Sequence, residues 1–180
     1  LVVLKSNFFP DMVEMERTTL AKRSQKLFTL SAIFVATRAL LSGIDEEELS
    51  DHIETGTAYW DGISEGFPEW GDVREGRLTA GEVRRDFIHS HGTVLHALGK
   101  VGRAVLVEGD PDWKDIGVRL GEMDWRRANT EVWEGRAMTA GRVSKSMNNV
   151  TLTTNVVKAH LDLEFSPEEQ RVEDAYQMTE

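Results

Sequence analysis

The chain has 180 residues, of which 40% are hydrophobic and 29% are charged, and its net charge is −10. This balance is typical of a globular protein with a buried core and excludes an intrinsically disordered chain. The absence of cysteine excludes disulfide bonds, cysteine-ligated metal centres and a cysteine nucleophile, and no apolar run reaches the about 18 residues of a membrane span.

The chain opens on an apolar run, residues 1–4. No basic segment precedes it and no small-residue cleavage site follows it, which argues against a signal peptide. We interpret residues 1–8 as the exit segment of an upstream domain, with strand character, and residues 9–180 as a single helical domain.

Residues 26–42 form the strongest apolar segment and predict a core helix, because apolar side chains occupy nearly its whole circumference. Gly43 supplies its stop. We expect this helix to be the most buried element and to pack against a second helix at residues 93–106. Truncation of Phe34 to alanine is then expected to cost about 3–5 kcal/mol.

Asp45 is predicted to cap the next helix, since Glu48 follows three positions later at capping-box spacing. This helix ends near residue 64 and has one apolar and one acidic face, the latter beginning at Glu46 and Glu47. Beyond it, residues 67–71 predict a short helical turn anchored by aromatic side chains.

Thr79 predicts the cap of a short helix that ends near Phe87. A clearer helix follows at residues 90–106, where apolar positions recur at helical spacing. Gly99 and Gly102 lie within it, and they permit close contact between helices at some cost in helix propensity.

The second half of the chain is also predicted to be helical. Residues 113–120 predict a short helix, the polar and arginine-rich stretch 123–146 predicts a loop with short helical turns, and residues 148–162 regain helical spacing. No segment keeps up the alternation of apolar and polar residues that is typical of a strand. The predicted fold class is therefore mainly α, a compact helical domain with at most a short strand at the N-terminus.

The last helix has the clearest start signal. Ser166 precedes Pro167 at the first helical position, and Glu169 completes a capping box. We expect this helix to turn its apolar residues inward, namely Val172, Ala175 and Tyr176.

Charge is distributed unevenly along the chain. Residues 43–75 carry eleven acidic residues and one basic residue, and residues 161–180 carry seven and one. In contrast, residues 1–42 and 119–160 each have a net charge of +3. Such asymmetry is found on acidic proteins with a nucleic-acid face, and also on ordinary solvated surfaces whose charges are unevenly distributed.

The two positive segments provide candidate contacts to a phosphate backbone. Residues 141–149 combine cations, hydroxyls and amides ahead of a predicted helix, and such groups bind phosphates. Arginine forks also match phosphate oxygens in two-point contacts. The alternative is that these cations pair with the acidic helix 45–64 or the acidic tail. The candidate DNA contacts are Lys22, Arg23, Lys26, Arg126, Arg127, Arg136, Arg142 and Lys145.

Motifs for catalysis are not found in the sequence, which contains neither a phosphate-binding glycine loop nor a dinucleotide fingerprint. His89 and His91 stand near Asp86 and His96, but a metal site needs three or four converging ligands. We therefore expect no catalytic residue, no metal ion and no cofactor, and we expect the acid-rich stretch 43–75 to be a solvated face.

Several phrases, in order along the chain, resemble a single family. They are Asn7-Phe8-Phe9, residues 23–33, Asp124-Trp125, residues 133–136, residues 141–146 and residues 163–169. The family they resemble is the DNA sulfur modification protein DndB with its DGQHR-domain relatives. The motif that names those relatives, Asp-Gly-Gln-His-Arg, is absent here. It belongs to an N-terminal part that resembles the ParB-like fold, so the chain is expected to correspond to the C-terminal helical portion.

The resemblance implies a role in the system that replaces a non-bridging phosphate oxygen of DNA with sulfur. Proteins of this family look like DNA-binding regulators that repress the modification operon, while partner proteins perform the sulfur chemistry. The implied partners are double-stranded promoter DNA, a second copy in a homodimer, and other DNA sulfur modification proteins. The implied location is cytoplasmic, without membrane association.

Two other functions are compatible with the sequence. In the first of these functions, the chain is a helical scaffold for a ParB-like enzyme, and any activity resides in the N-terminal part. In the second it is a protein-interaction module that docks a basic partner of the modification complex through the acidic helix 45–64.

Overall fold

A computed structural model describes residues 1–44 and 49–179. The predicted cap Asp45, its partner Glu48, and Glu46 and Glu47 lie outside the described residues. The protein is mainly α, as predicted. Its helices are α1 (Val2–Lys5), α2 (Leu30–Leu40), α3 (Leu49–Ser64), α4 (Pro68–Arg74), α5 (Ala80–Asp86), α6 (Gly92–Glu108), α7 (Trp113–Gly121), α8 (Thr130–Trp133), α9 (Met147–His160) and α10 (Pro167–Gln177). Its strands are β1 (Val13–Glu14), β2 (Phe28–Thr29), β3 (Met138–Thr139) and β4 (Arg142–Val143).

The strands form two small sheets. β1 and β2 are parallel, with Val13 opposite Phe28, and β3 and β4 are antiparallel, with Met138 opposite Val143. The predicted loop 123–146 therefore contains a hairpin as well as the short helix α8. In the described part of the chain, no helix is long and apolar enough to cross a lipid bilayer.

Residues 1–4, predicted to have strand character, instead begin a helical turn. The amide of Leu4 donates to the carbonyl of Leu1 at 3.0 Å, Val3 is buried, and Leu4 is exposed. The side chain of Val2 lies against Gly56 of α3. An apolar run of four residues is compatible with both the helical and the strand period. Both described sheets are formed by other segments of the chain, so a helical turn is what provides hydrogen-bond partners for these amides.

An aromatic cluster fills the core between the N-terminal segment, α3 and α4. Phe67 and Trp70 stack with ring centroids 4.3 Å apart, and Phe28 meets the Trp70 ring edge-on at 4.9 Å. Phe9 packs on Phe28 at 5.7 Å and on Trp60 at 5.6 Å. The aromatic turn predicted at 67–71 is thus confirmed, and it forms the start of α4.

α2 packs along α6, as predicted for the central helix. The expectation that it is the most buried element is wrong, since it buries only the stripe Ile33, Ala36 and Leu40, whereas α6 and α9 each bury more than half of their residues. Outside that stripe its apolar positions are Leu30, Ala32, Phe34, Val35 and Ala39, and single apolar side chains commonly remain partly exposed at a protein surface.

Phe34 lies on the outer face of α2, with 61% of its surface exposed and the Arg38 guanidinium 5.8 Å from its ring. The expected loss of about 3–5 kcal/mol on truncation is therefore corrected. We expect Phe34→Ala to cost less than about 1 kcal/mol, because an exposed cation–π contact contributes little. Urea denaturation should show this, with the buried Ile33→Ala as control, expected to lose about 2 kcal/mol or more. An equal loss in both variants would contradict the assignment.

α9 is a buried helix despite its three threonines. The hydroxyl groups of Thr151, Thr153 and Thr154 each donate to the carbonyl four residues earlier, at 3.2, 2.7 and 2.8 Å. These bonds satisfy the polar atoms inside the helix, so β-branched residues are accommodated there. The helices predicted at 79–87, 90–106, 113–120 and 148–162 are confirmed as α5, α6, α7 and α9.

α10 begins as predicted, with the capping box between Ser166 and Glu169 present. Its inward face differs from the prediction, because Ala175 is exposed while Glu169 and Glu173 are buried. The reason is ion pairing. Lys158 of α9 donates to Glu169 at 2.7 Å, and Glu173 is held by an arginine described below. A buried carboxylate is tolerated when a cation and hydrogen bonds compensate it.

Candidate nucleic-acid interface

The first group of predicted DNA contacts lies in the segment that precedes β2. Lys22 and Arg23 are exposed and have no ion pair with any residue the structure describes. Lys26 is half-buried, and its ammonium donates to the carbonyl of Asp11 at 2.8 Å. All three line a surface cleft of about 980 Å³, to which Arg74 of α4 also contributes. The cleft thus brings together four basic residues and one acidic residue, Asp11.

Arg84 of α5 holds this segment in place. Its guanidinium donates to the carbonyls of Ala21 at 3.4 Å and Ser24 at 3.3 Å, and to that of Lys26. α5 is itself fixed by the capping box of Thr79 and Glu82. Sequence reasoning missed Arg84, because nothing local indicates that an arginine sixty residues away supports a loop.

The second group lies around the hairpin of β3 and β4. Arg142 begins β4 and Lys145 lies just before α9, and both are exposed, without an ion pair in the described parts of the chain. The two-residue turn, Ala140 and Gly141, has positive φ values of 51° and 71°, as a tight hairpin requires. The carboxylate of Glu134 accepts hydrogen bonds from both turn amides and so fixes the hairpin tip.

The other three predicted contacts have partners within the protein. Arg126 forms a salt bridge with Asp124 at 2.5 Å, and Arg127 donates to the carbonyl of Arg84 at 2.9 Å. Arg136 forms a two-point ion pair with Glu173, at 2.9 and 2.6 Å. The alternative, that some of these cations pair with the acidic C-terminal segment, therefore holds for Arg136. DNA contact by the eight residues remains a prediction.

A cavity of about 500 Å³ lies beside both exposed groups. Residues 18–20 of the first segment and Lys145 are among its lining residues. Six hydroxyl-bearing side chains and the cations of Arg84 and Lys145 line it, and no aspartate or glutamate is among its lining residues. In a protein of net charge −10, this composition makes the cavity a local positive region.

Three helices begin at this cavity, namely α2, α6 and α9. Two of the starts are capped by side chains, with Thr29 accepting from the amide of Ala32 and Ser146 accepting from that of Asn149, both at 3.2 Å. α6 starts after His91 without a side-chain cap. Because helix N-termini carry partial positive charge, the three dipoles reinforce the two cations.

The histidines considered for a metal site are bonded separately. His89 is buried, accepts from the Trp70 indole at Nδ1 over 3.0 Å, and lies 3.1 Å from Glu69 through Nε2. The Nε2 atom of His91 lies 2.9 Å from the carbonyl oxygen of Arg84. Burial lowers the pKa of both imidazoles, which keeps them neutral near pH 7. Within the described ranges, no three His, Asp or Glu side chains form a cluster that could hold a metal ion.

Comparison with protein families matches residues 1–164 to DndB, which is described as DNA-sulfur modification-associated. The match spans α1 to α9 and includes both exposed basic groups. Neither the curated proteins nor the solved structures that were compared contain a match. Since the family match covers most of the chain, the protein belongs to the DndB family, which is associated with DNA sulfur modification.

Proposed function

We propose that the protein is a DNA-binding transcriptional regulator that represses a DNA phosphorothioate modification system. In this proposal it acts in the cytoplasm as a homodimer on double-stranded promoter DNA, and other proteins of the system perform the sulfur chemistry. Membership of the DndB family supports the link to DNA sulfur modification. The chain itself is proposed to be non-catalytic and to use no cofactor or metal ion.

The observation that carries the DNA-binding part is the grouping of exposed, unpaired cations beside one cavity. Acidic residues outnumber basic ones by 31 to 21, so an exposed cation has many potential partners. Like several other exposed cations, Lys22, Arg23, Arg142 and Lys145 have no ion pair in the described structure, and these four stand in two groups beside one cavity. Affinity for DNA follows local neutralisation of phosphates rather than net charge. Four cations left free of carboxylates are therefore suited to contact a phosphate backbone.

The proposal predicts a specific response to the double substitution Arg142→Ala with Lys145→Ala. Affinity for duplex DNA should fall for promoter and unrelated sequences alike, because phosphate contacts carry little sequence information. The slope of log K against log salt should decrease by about two, one unit for each cation that no longer neutralises a phosphate. Fluorescence anisotropy of a labelled promoter duplex over a salt series measures both quantities. The pair Lys22→Ala with Arg23→Ala provides the same test for the first group.

A matched control removes the same charge elsewhere. Lys5 of α1 and Arg171 of α10 are exposed cations outside both basic groups and likewise have no ion pair with a described residue, and their double alanine variant should leave the salt slope unchanged. If the test and control variants lose the same DNA affinity, the loss is due to the change in net charge and not to specific phosphate contacts. Unchanged affinity in both test variants would remove the DNA face from these two segments.

A further inference from the structure

We propose that the cavity at the starts of α2, α6 and α9 binds the phosphate group of a small phosphorylated molecule, such as a nucleoside monophosphate. This inference goes beyond the regulatory role proposed above and does not depend on DNA binding. It rests on the composition of the cavity, the uncapped start of α6 and a buried hydroxyl group without a partner.

The uncapped helix start supplies donors. The amides of Gly92 and Thr93 open the 17-residue helix α6, and in the described structure neither donates to an acceptor. Gly92 is exposed and lines the cavity, so an anion bound there can approach its amide. Free amides at the N-terminus of a long helix are a general binding site for phosphate.

Ser90 provides an independent indication of a ligand. It lines the cavity, only 6% of its surface is exposed, and its hydroxyl group has no hydrogen-bond partner among the described residues. Buried polar groups are nearly always hydrogen-bonded, so an unpaired one calls for an explanation. A phosphate oxygen in the cavity would be the missing acceptor.

The surrounding charges favour the same ligand. Arg84 has no carboxylate partner in the described structure and directs its donors to main-chain carbonyls, so its positive charge is not neutralised. Lys145, which also lines the cavity, is exposed and has a flexible side chain that can close on a bound anion. Among the described residues that line the cavity, none carries a carboxylate that would oppose these two cations.

The size and apolar part of the cavity indicate more than an inorganic ion. A volume of about 500 Å³ is typical of sites for small organic molecules. Leu20, Val143 and Met147 provide apolar wall on which a base or similar group can lie. Because Ser90 is buried, the phosphate that reaches it needs a free end, as in a phosphate monoester. Phosphodiesters of duplex DNA are flanked on both sides and stay at the rim.

Isothermal titration calorimetry on the whole chain tests the proposal with three probes. Adenosine monophosphate and inorganic phosphate are expected to bind at one site, the nucleotide more tightly, and adenosine at least tenfold more weakly than the nucleotide. Ser90→Ala should weaken nucleotide binding about tenfold, as expected for a hydrogen bond to a charged group. Its thermal stability should be unchanged, since the hydroxyl has no partner to lose.

Gly92→Asp locates the phosphate without endangering the fold. A Cβ atom at this position has room, the nearest heavy atom being the Cβ of Ala32 at 3.6 Å, and its φ is not in the left-handed region. A carboxylate in the first turn favours the helix but repels phosphate, so nucleotide binding should fall more than tenfold. Gly92→Asn has the same shape without the charge, and should bind far more tightly than Gly92→Asp.

Three results would overturn the proposal. The first is no binding of phosphate or nucleotide by the wild-type protein at millimolar concentration. The second is nucleotide binding that survives Gly92→Asp, which would place the ligand elsewhere. The third is a combination of two results: the wild-type protein does not bind the nucleotide, and Gly92→Asp loses binding to duplex DNA. That combination would assign the cavity to DNA. Failure of DNA binding by itself leaves these measurements intact, so the two proposals are distinguishable.

Discussion

Gly99→Ala should destabilise the protein by about 3 kcal/mol, near the upper end of the usual cost of overpacking. A Cβ atom on Gly99 would lie 2.2 Å from the main-chain oxygen of Ala36 in α2. Main-chain atoms of a packed helix cannot rotate away, so α2 and α6 would have to separate along their whole contact. Both helices begin at the cavity, and their separation would distort it as well.

Urea denaturation with a matched glycine control measures this effect. Gly71 lies in α4, and a Cβ atom there would meet no atom within 4 Å. Gly71→Ala should therefore stabilise the protein by about 0.5–1 kcal/mol, through helix propensity and lower backbone entropy of the unfolded chain. If the stability of Gly99→Ala lies within about 1 kcal/mol of the wild type, α2 and α6 are not tightly packed at this position.

The features that could be predicted from the sequence are mostly local ones. The capping boxes at Thr79 and Ser166 set helix starts through bonds within four residues, so their residue types identify them. Gly99 was identifiable as a contact position because few other reasons place glycine inside an apolar helix. By contrast, the burial of α2 depends on what lies beside it, and its apolar pattern could not show that Phe34 faces outward.

The candidate interface was predictable in part for the same reason. The residue types before α9 predict phosphate contacts, and the structure leaves Arg142 and Lys145 exposed, as such contacts require. The sequence could not show that Arg136 is paired with Glu173, because the partners are 37 residues apart. The cavity was missed altogether. It forms where three helix starts converge, and only the uncapped start after His91 left a local sign.

Arg136→Ala should destabilise the protein by about 3–5 kcal/mol, as expected when one member of a buried ion pair is removed. Only 17% of the Arg136 side chain and 8% of the Glu173 side chain are exposed. The guanidinium also lies 4.5 Å from the centroid of the Tyr176 ring. If stability is lost without a change in the salt slope of DNA binding, Arg136 acts in the fold. A stable variant with a lower slope would make it a DNA contact instead.

The same ion pair predicts a loss of stability in acid. The hydrogen bonds from Arg136, assisted by Asn155 and opposed by burial, lower the pKa of Glu173 from 4.5 to about 2. A lowered pKa in the folded state means that the stabilisation is complete above the unfolded pKa and is lost as the pH falls from about 4.5 toward 2. The shift corresponds to about 3 kcal/mol at neutral pH.

Comparison of the wild type with Glu173→Gln isolates this carboxylate from the other acidic groups. Glu169 also has a lowered pKa, through Lys158 and its capping bonds against the effect of burial, and so both proteins will lose some stability in acid. The wild type should be the more stable at pH 7, and the difference should shrink by about 3 kcal/mol between pH 6 and pH 2. Urea denaturation across that range measures it. A difference that stays constant with pH would show that Glu173 is not held ionised by Arg136, and that α10 is attached to α9 by other contacts.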